Sequence, residues 1–284
     1  MIYKFGPIKV LFKDFPKSSL WPFSIWKLDS FKIDDDATPD IIINYFERYI
    51  EPKGKAIWEE DSTNVCRQIF ALEGGEILWQ QLEKSTGDLQ LQLLMASNRR
   101  EITLTCDNSQ TVGMGAFEAL TFVIFYAFLH QNVLTFHGAL VEENGKGFLL
   151  CADSGVGKTT HARLWRDIKN ALIINGDKAS CFLKNDKWYG FGTPWCGTSG
   201  EYINRSVPLQ AVVILERGTQ NRVYEEKPIA LLSHVVVPSW DRKTTELMLS
   251  LLDAFLGKIP ILRLECTPDA TAVEVLYNAL ESLQ

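Results

Sequence analysis

Residues 148–165 read FLLCADSGVGKTTHARLW, and the run A-D-S-G-V-G-K-T from Ala152 to Thr159 decides how the rest of the chain is understood. Phe148-Leu149-Leu150-Cys151 is an apolar run of strand length, and the residues from Thr159 onward suit a helix. Between them stands a phosphate-binding loop pattern, with Ala152 where the usual motif has its first glycine. Successive backbone N–H groups can hold a chain of phosphates only where the main chain comes close, and Gly155 and Gly157 permit that approach. Lys158 supplies a mobile cation for the outer phosphates, and Thr159 offers a hydroxyl to a magnesium ion. The helix that follows points its positive end at the anion. The expected nucleotide contacts are therefore Asp153, Ser154, Gly155, Val156, Gly157, Lys158, Thr159 and Thr160. A glycine-rich turn that matches by accident is the competing reading, and the strand before and helix after speak against it.

Working outward, the hairpin that feeds the loop runs from Val133 to Val141, through the turn Glu142–Lys146, and back along Gly147 to Cys151. A hairpin directly before such a loop departs from ordinary parallel βαβ order. After the loop helix, Ala171–Asn175 reads as a buried strand ending in Gly176-Asp177-Lys178. Cys181–Leu183 and Trp188–Phe191 flank a turn, residues 192–197 are irregular, and Pro208–Glu216 is a strand. Residues 227–237 and 241–256 read as helical, Ile259–Leu264 as a strand, and a last helix starts with Thr267 as cap and Pro268 at its first position. Upstream, Met114–His130 is apolar nearly all round and belongs in an interior as a helix. Before it, Ile41–Tyr45, Val65–Leu72, Leu89–Leu93 and Glu101–Thr105 are strand candidates, the last two forming a hairpin, while residues 15–40 read as irregular. The fold expected is mixed α/β, with a mainly antiparallel β-rich module over residues 1–112 and a nucleotide-binding domain over residues 113–284.

Composition bounds the function. Hydrophobic residues make up 46% and charged residues 23% of the 284 positions, as in an ordinary globular protein. The net charge of −6 comes without any Lys/Arg cluster, which excludes a nucleic-acid footprint. Six scattered cysteines with no C-x-x-C pair read as reduced, buried thiols and offer no metal site. The apolar run from Ala116 to Leu129 is too short to span a bilayer and carries Glu118, and the N-terminus has no signal-peptide core. A soluble, cytoplasmic protein without membrane contact is the expectation.

A phosphate loop names a ligand and leaves the reaction open. Asp177, at the end of a strand after the loop helix, stands where such proteins keep a carboxylate for Mg²⁺, so Thr159 and Asp177 are the expected metal ligands. The alternative is an ordinary Asp in a Gly-Asp turn. His137, before Gly138 in the strand beside the loop strand, is a candidate phosphate- or metal-proximal donor, or else a satisfied core histidine. Arg205 is a candidate phosphate ligand or else a solvated surface residue.

These residues together resemble a family. His137-Gly138-Ala139-Leu140-Val141, a turn, a strand, Asp153 to Thr159, and then an acidic strand end look like the HPr serine kinase/phosphorylase group. That group shares its nucleotide-binding core with ATP-dependent phosphoenolpyruvate carboxykinases. The likeness is close over residues 135–177 and weak beyond. It implies an ATP- and Mg²⁺-dependent kinase that moves the γ-phosphate to a hydroxyl, Ser or Thr of a protein or peptide, with His137, Lys158, Asp177 and Arg205 as the catalytic set. Members commonly assemble, which implies a homo-oligomer. Arg205, in Asn204-Arg205, corresponds to a carboxykinase arginine that approaches the outer phosphate. The group's acidic doublet reads Gly176-Asp177 here, leaving the base position vacant. Asp177 shifts into that role, His137 or Glu201 serves, or the protein is a non-catalytic nucleotide-binding regulator that uses the same pocket. A decarboxylating carboxykinase fits less well, because no second cluster of His, Lys and Asp ligands is present.

Overall fold

The computed structural model describes residues 1–15, 26–34, 38–106, 112–236 and 240–283. The chain forms two compact units, Met1–Gln131 with Pro238–Thr245, and Asn132–Val237 with Glu246–Gln284. The division falls at 131/132, not after residue 112 as the sequence suggested, because the apolar helical stretch stays with the first unit.

The first unit contains strands β1 (Ile2–Phe5), β2 (Ile8–Lys13), β3 (Lys32–Ile33), β4 (Ile41–Tyr45), β5 (Trp58–Asp61), β6 (Val65–Ala71), β7 (Ile77–Glu83), β8 (Leu89–Met95) and β9 (Glu101–Cys106). They form one sheet in the order β3-β1-β2-β4-β9-β8-β7-β6-β5. Its pairings are antiparallel except β2 with β4 and β4 with β9. The anticipated hairpin of β8 and β9 forms, with Leu93 opposite Leu104. Within 15–40, Trp26–Phe31 is a 3-10 helix and β3 pairs with β1; residues 16–25 and 35–37 of that expectation lie outside the described residues. Strand β7 carries Gln80, which is 5% exposed and donates to Gln68 at 2.8 Å while accepting from Gln92 at 3.1 Å. This ladder of amides crosses three neighbouring strands. The expected single helix over 114–130 is a pair, α1 (Val112–Ala119) and α2 (Thr121–Leu129), and Val123 to Leu129 are all buried. Outermost in the sheet, β5 is exposed along its whole length.

The second unit holds β10 (Val133–Glu143), β11 (Lys146–Cys151), β12 (Leu172–Asn175), β13 (Lys178–Lys184), β14 (Lys187–Phe191), β15 (Ser206–Arg217), β16 (Arg222–Glu225) and β17 (Ile261–Cys266). Strand β11 pairs antiparallel with β10 on one edge and parallel with β15 on the other. Since β10 also pairs with β13, β13 with β14 and β14 with β15, these pairings close into a ring. Strand β17 then adds parallel to β15, with β16 beyond it. The helices are α3 (Lys158–Lys169), α4 (Arg242–Leu256), which belongs to this unit from Glu246 on, and α5 (Ala270–Glu281).

Helix α3 buries Lys158, His161, Ala162 and Trp165, the i, i+3, i+4, i+7 stripe of an amphipathic helix. Asn170 ends it in the left-handed conformation. Trp165 is fully buried, its ring 4.6 Å from that of Phe148 on the loop strand, so the helix is pinned to the strand that feeds it. Helix α5 is capped by Asp269, whose carboxylate accepts from the N–H groups of Thr271 and Ala272; Thr267, the expected cap, instead donates its hydroxyl to Asp269. The stretch expected as a helix over 227–237 is a 3-10 segment, Pro228–His234. Among the described residues no helix is long and apolar enough to cross a membrane. All six cysteines are free; Cys151, Cys181 and Cys196 are buried, whereas Cys66, Cys106 and Cys266 are only half-buried, contrary to the expectation for all six. Trp165→Ala should cost about 3–5 kcal/mol of unfolding free energy, read as a lowered urea midpoint.

Candidate functional site

The site is assembled beside the middle of β10, where β11 and β12 end and β13 begins. At a bulge in β10 both His137 and Gly138 lie opposite Lys178 of β13. Gly138 donates its amide to the Asp177 carbonyl at 2.8 Å. The position is tight: a Cβ on Gly138 would stand 2.9 Å from the Cys151 sulfur and 3.0 Å from the Leu150 carbonyl oxygen, so a larger residue would push these neighbours aside. The turn 176–178 is shaped by Asn175, fully buried, whose side-chain oxygen accepts from the N–H groups of Asp177 at 2.9 Å and Lys178 at 2.7 Å.

The outcome is a cluster the sequence could only propose. His137 Nε2 lies 3.1 Å from Asp177 Oδ1, and Lys178 Nζ lies 2.9 Å from Asp177 Oδ2. Burial works to raise the Asp177 pKa, yet the contact with His137 and the charge of Lys178 outweigh it and bring the group down to about 2. The loop presents the other wall. Gly155 and Gly157 take φ values of 79° and 128°, a region that glycine enters without strain. Lys158, nearly buried, curls back to donate to the Ala152 carbonyl at 2.7 Å, and burial lowers its pKa while Asp177 and Asp153 work against that.

His137, Ser154, Gly155, Gly157, Lys158, Thr159, Thr160, Gly176 and Asp177 share one cavity of about 280 Å³ with Thr198 and Ser199. Asp153 and Val156 line a neighbouring cavity of about 630 Å³ on the far side of the loop, with His234, Arg217 and Arg263. The donor chemistry of the smaller cavity suits Mg²⁺. Thr159 and Asp177 present hard oxygen atoms to it, the kind of donor such an ion takes.

Two sequence expectations change. Arg205 does not join the cluster: it makes a forked ion pair with the buried carboxylate of Glu142, its Nη2 donating to Oε1 at 2.6 Å. Glu142 pairs with Gly147 at the start of β11, whereas the loop leaves the other end of that strand after Cys151, so Arg205 is held away from the phosphate loop. Glu201, the proposed substitute base, faces Arg163 at 3.5 Å and Arg166 at 2.8 Å on α3 and does not line the cavity. The space beside Gly176 is filled: a Cβ there would meet the Ser199 hydroxyl at 2.1 Å and its Cβ at 2.6 Å.

Other groups escaped the sequence reading. Arg217, at the end of β15, donates through Nη2 to the Gly155 carbonyl and through Nε to that of Val156 at 3.4 Å, bracing the loop. An arginine at the end of a predicted strand was the available signal, but its place beside the loop follows from the parallel β11–β15 pairing. Arg263 is clasped by Glu216 and Glu226, and burial lowers the pKa of His234 at the rim. Lys178 follows Asp177 in the turn, where the sequence alone gives it no role.

Residues 103–231, less than half of the chain, match the family model described as "ScmC: SynChlorMet cassette protein ScmC". The matched stretch takes in the phosphate loop and Asp177. Among solved structures, the HPr(Ser) kinase/phosphatase from Coxiella burnetii is similar over 52% of this chain and 97% of its own, with 12% identity and a TM-score of 0.33. No curated protein matches this chain.

Two predictions follow from this geometry. His161, on the first turn of α3, has both ring nitrogens buried without a partner among the described residues, and burial pushes its pKa down to about 4. The unfolded chain therefore takes up this proton below its ordinary value of about 6.5 while the folded chain does not. Stability from this group is complete above pH 6.5 and falls as the pH drops toward 4, by up to about 3 kcal/mol. Urea unfolding across that range should show the slope, and His161→Leu should flatten it. Gly176→Asp, restoring the acidic doublet, should destabilise the chain by about 1–3 kcal/mol through overpacking against Ser199. Adding Ser199→Gly should recover most of the loss in thermal denaturation.

Proposed function

We propose that this chain is an ATP- and Mg²⁺-dependent kinase that transfers the γ-phosphate to a hydroxyl, that of a Ser or Thr in a protein or peptide. The observation that carries this reading is the convergence of Lys158, Thr159, Asp177 and His137 on one cavity at the N-terminus of α3. The nucleotide's phosphates lie along the amides of residues 154–160, with the helix dipole and Lys158 taking up their charge. Thr159 and Asp177 would hold Mg²⁺, which would supply charge neutralisation to the phosphates.

Asp177 is the acidic group facing the acceptor. With a pKa near 2 it is ionised throughout the physiological range, and its His137 neighbour orients it. A carboxylate so acidic is a weak base. In a loose phosphoryl-transfer transition state, however, positioning and charge neutralisation outweigh deprotonation of the nucleophile. The charge contribution expected of Arg205 passes to Lys158, with Arg217 holding the loop in shape.

A second reading, nucleotide binding without efficient transfer, is favoured by one feature: Ser199 occupies the room in which a second carboxylate would stand beside Gly176. The two readings share the binding step and part at the chemistry. Calorimetry with ATP and Mg²⁺ should detect binding that Lys158→Ala weakens about 10- to 100-fold, the size of a lost charge-assisted hydrogen bond. With γ-labelled ATP, label appearing on peptide hydroxyls and lost in Asp177→Asn supports the kinase. Binding without any turnover supports the regulator. A folded chain that ignores both ATP and ADP overturns the proposal.

A further inference from the structure

Asp177 is the one carboxylate among the described residues lining the phosphate-loop cavity, and both of its oxygens are engaged, Oδ1 by His137 and Oδ2 by Lys178. It is also fixed in place. Its amide is held by Asn175 at 2.9 Å, its carbonyl by Gly138 at 2.8 Å, and Gly197 packs so closely that a Cβ there would stand 2.6 Å from Oδ2. The backbone of Asp177 is thus fixed, and His137 and Lys178 hold its carboxylate toward the cavity. A divalent ion reaching Oδ2 has to take the position of the ammonium, since two cations cannot share one oxygen at contact distance without strong repulsion. Lys178 has somewhere to go: its side chain is 23% exposed, so the ammonium can leave Asp177 for solvent.

We propose that Lys178 is a built-in counter-cation of the metal carboxylate, so that the bare divalent ion is held off and the ion is admitted together with a polyphosphate. The incoming phosphates supply new negative charge for the displaced ammonium, and the released Asp177 oxygen becomes a metal ligand. Lys178 thus acts through Asp177 as a positioning residue, and it makes metal binding and nucleotide binding interdependent. The inference rests on the proposed function for the placement of the metal at Asp177, but its test needs neither nucleotide nor turnover.

The test is a titration of the full chain with Mn²⁺ alone, followed by electron paramagnetic resonance of the free ion. The unaltered protein should bind Mn²⁺ weakly, and Lys178→Met, which keeps the aliphatic stem, should bind it about tenfold or more tightly. Lys178→Gln should do the same, which covers a folding failure of the first variant, as judged by circular dichroism. Lys178→Arg should remain as weak as the unaltered chain, and Asp177→Asn placed on Lys178→Met should abolish the gain. A lysine whose charge did not act on the Asp177 carboxylate would not tighten metal binding on removal. Equal affinity in the unaltered and Lys178→Met chains, or no Mn²⁺ binding by any of the variants, overturns the proposal. Failure to bind ATP with Mg²⁺ in calorimetry instead overturns the functional reading, so the two failures are told apart.

Discussion

The hydrogen bond from the Gly138 amide to the Asp177 carbonyl is the tie on which the site depends. It joins the bulge of β10 to the turn between β12 and β13, and it forms because position 138 lacks a side chain against Cys151 and Leu150. Strand β10 is in turn registered against β11, Gly138 opposite Cys151, so the acidic turn is delivered to the strand end from which the phosphate loop departs. Asn175 finishes the arrangement by accepting two consecutive amides from the interior of the unit. Positions separated by tens of residues are thus brought to one cavity by backbone pairing, with side chains adding direction.

The charges at that cavity lean positive, with Lys158 and Lys178 set against the one carboxylate of Asp177. Lys158 donates to a carbonyl of its own loop, Lys178 and His137 share one carboxylate, and Arg217 is spent on loop carbonyls. Free negative potential is scarce, and the amides of the loop together with the dipole of α3 are the uncommitted attraction for an anion. The burial of Lys158 makes its charge costly to keep without a counter-charge, which adds to the pull on a polyanion.

Much of this was legible in the sequence because it is local. The loop, the strand before it, the helix after it and the alternation of Leu89–Leu93 each announce themselves within a window of a few residues. The candidate residues His137, Lys158, Thr159 and Asp177 do meet. What was hidden depends on pairings between distant segments. Arg205 looked free in its loop, but its partner is Glu142 on β10, a choice that register alone decides. Arg217 gains its place from the parallel run of β15 along β11. Strand β7 was obscured for another reason: inward-facing Gln80 breaks the apolar period, and its burial is tolerable because amides on both neighbouring strands satisfy it. The acidic cap of α5 shifted by two residues, since Thr267 and Asp269 are both competent and the latter reaches two free amides.

The exposed strand β5 at the margin of the nine-stranded sheet has a consequence of its own. Its outer side offers unpaired backbone groups, a template on which a neighbouring molecule's strand could grow and begin aggregation. Three of its four residues, Glu59, Glu60 and Asp61, are acidic, and Arg67 and Lys84 behind them compensate Glu60 and Asp61 from within the same chain. A second copy brought up edge to edge would set like charges against one another, an arrangement that opposes such pairing.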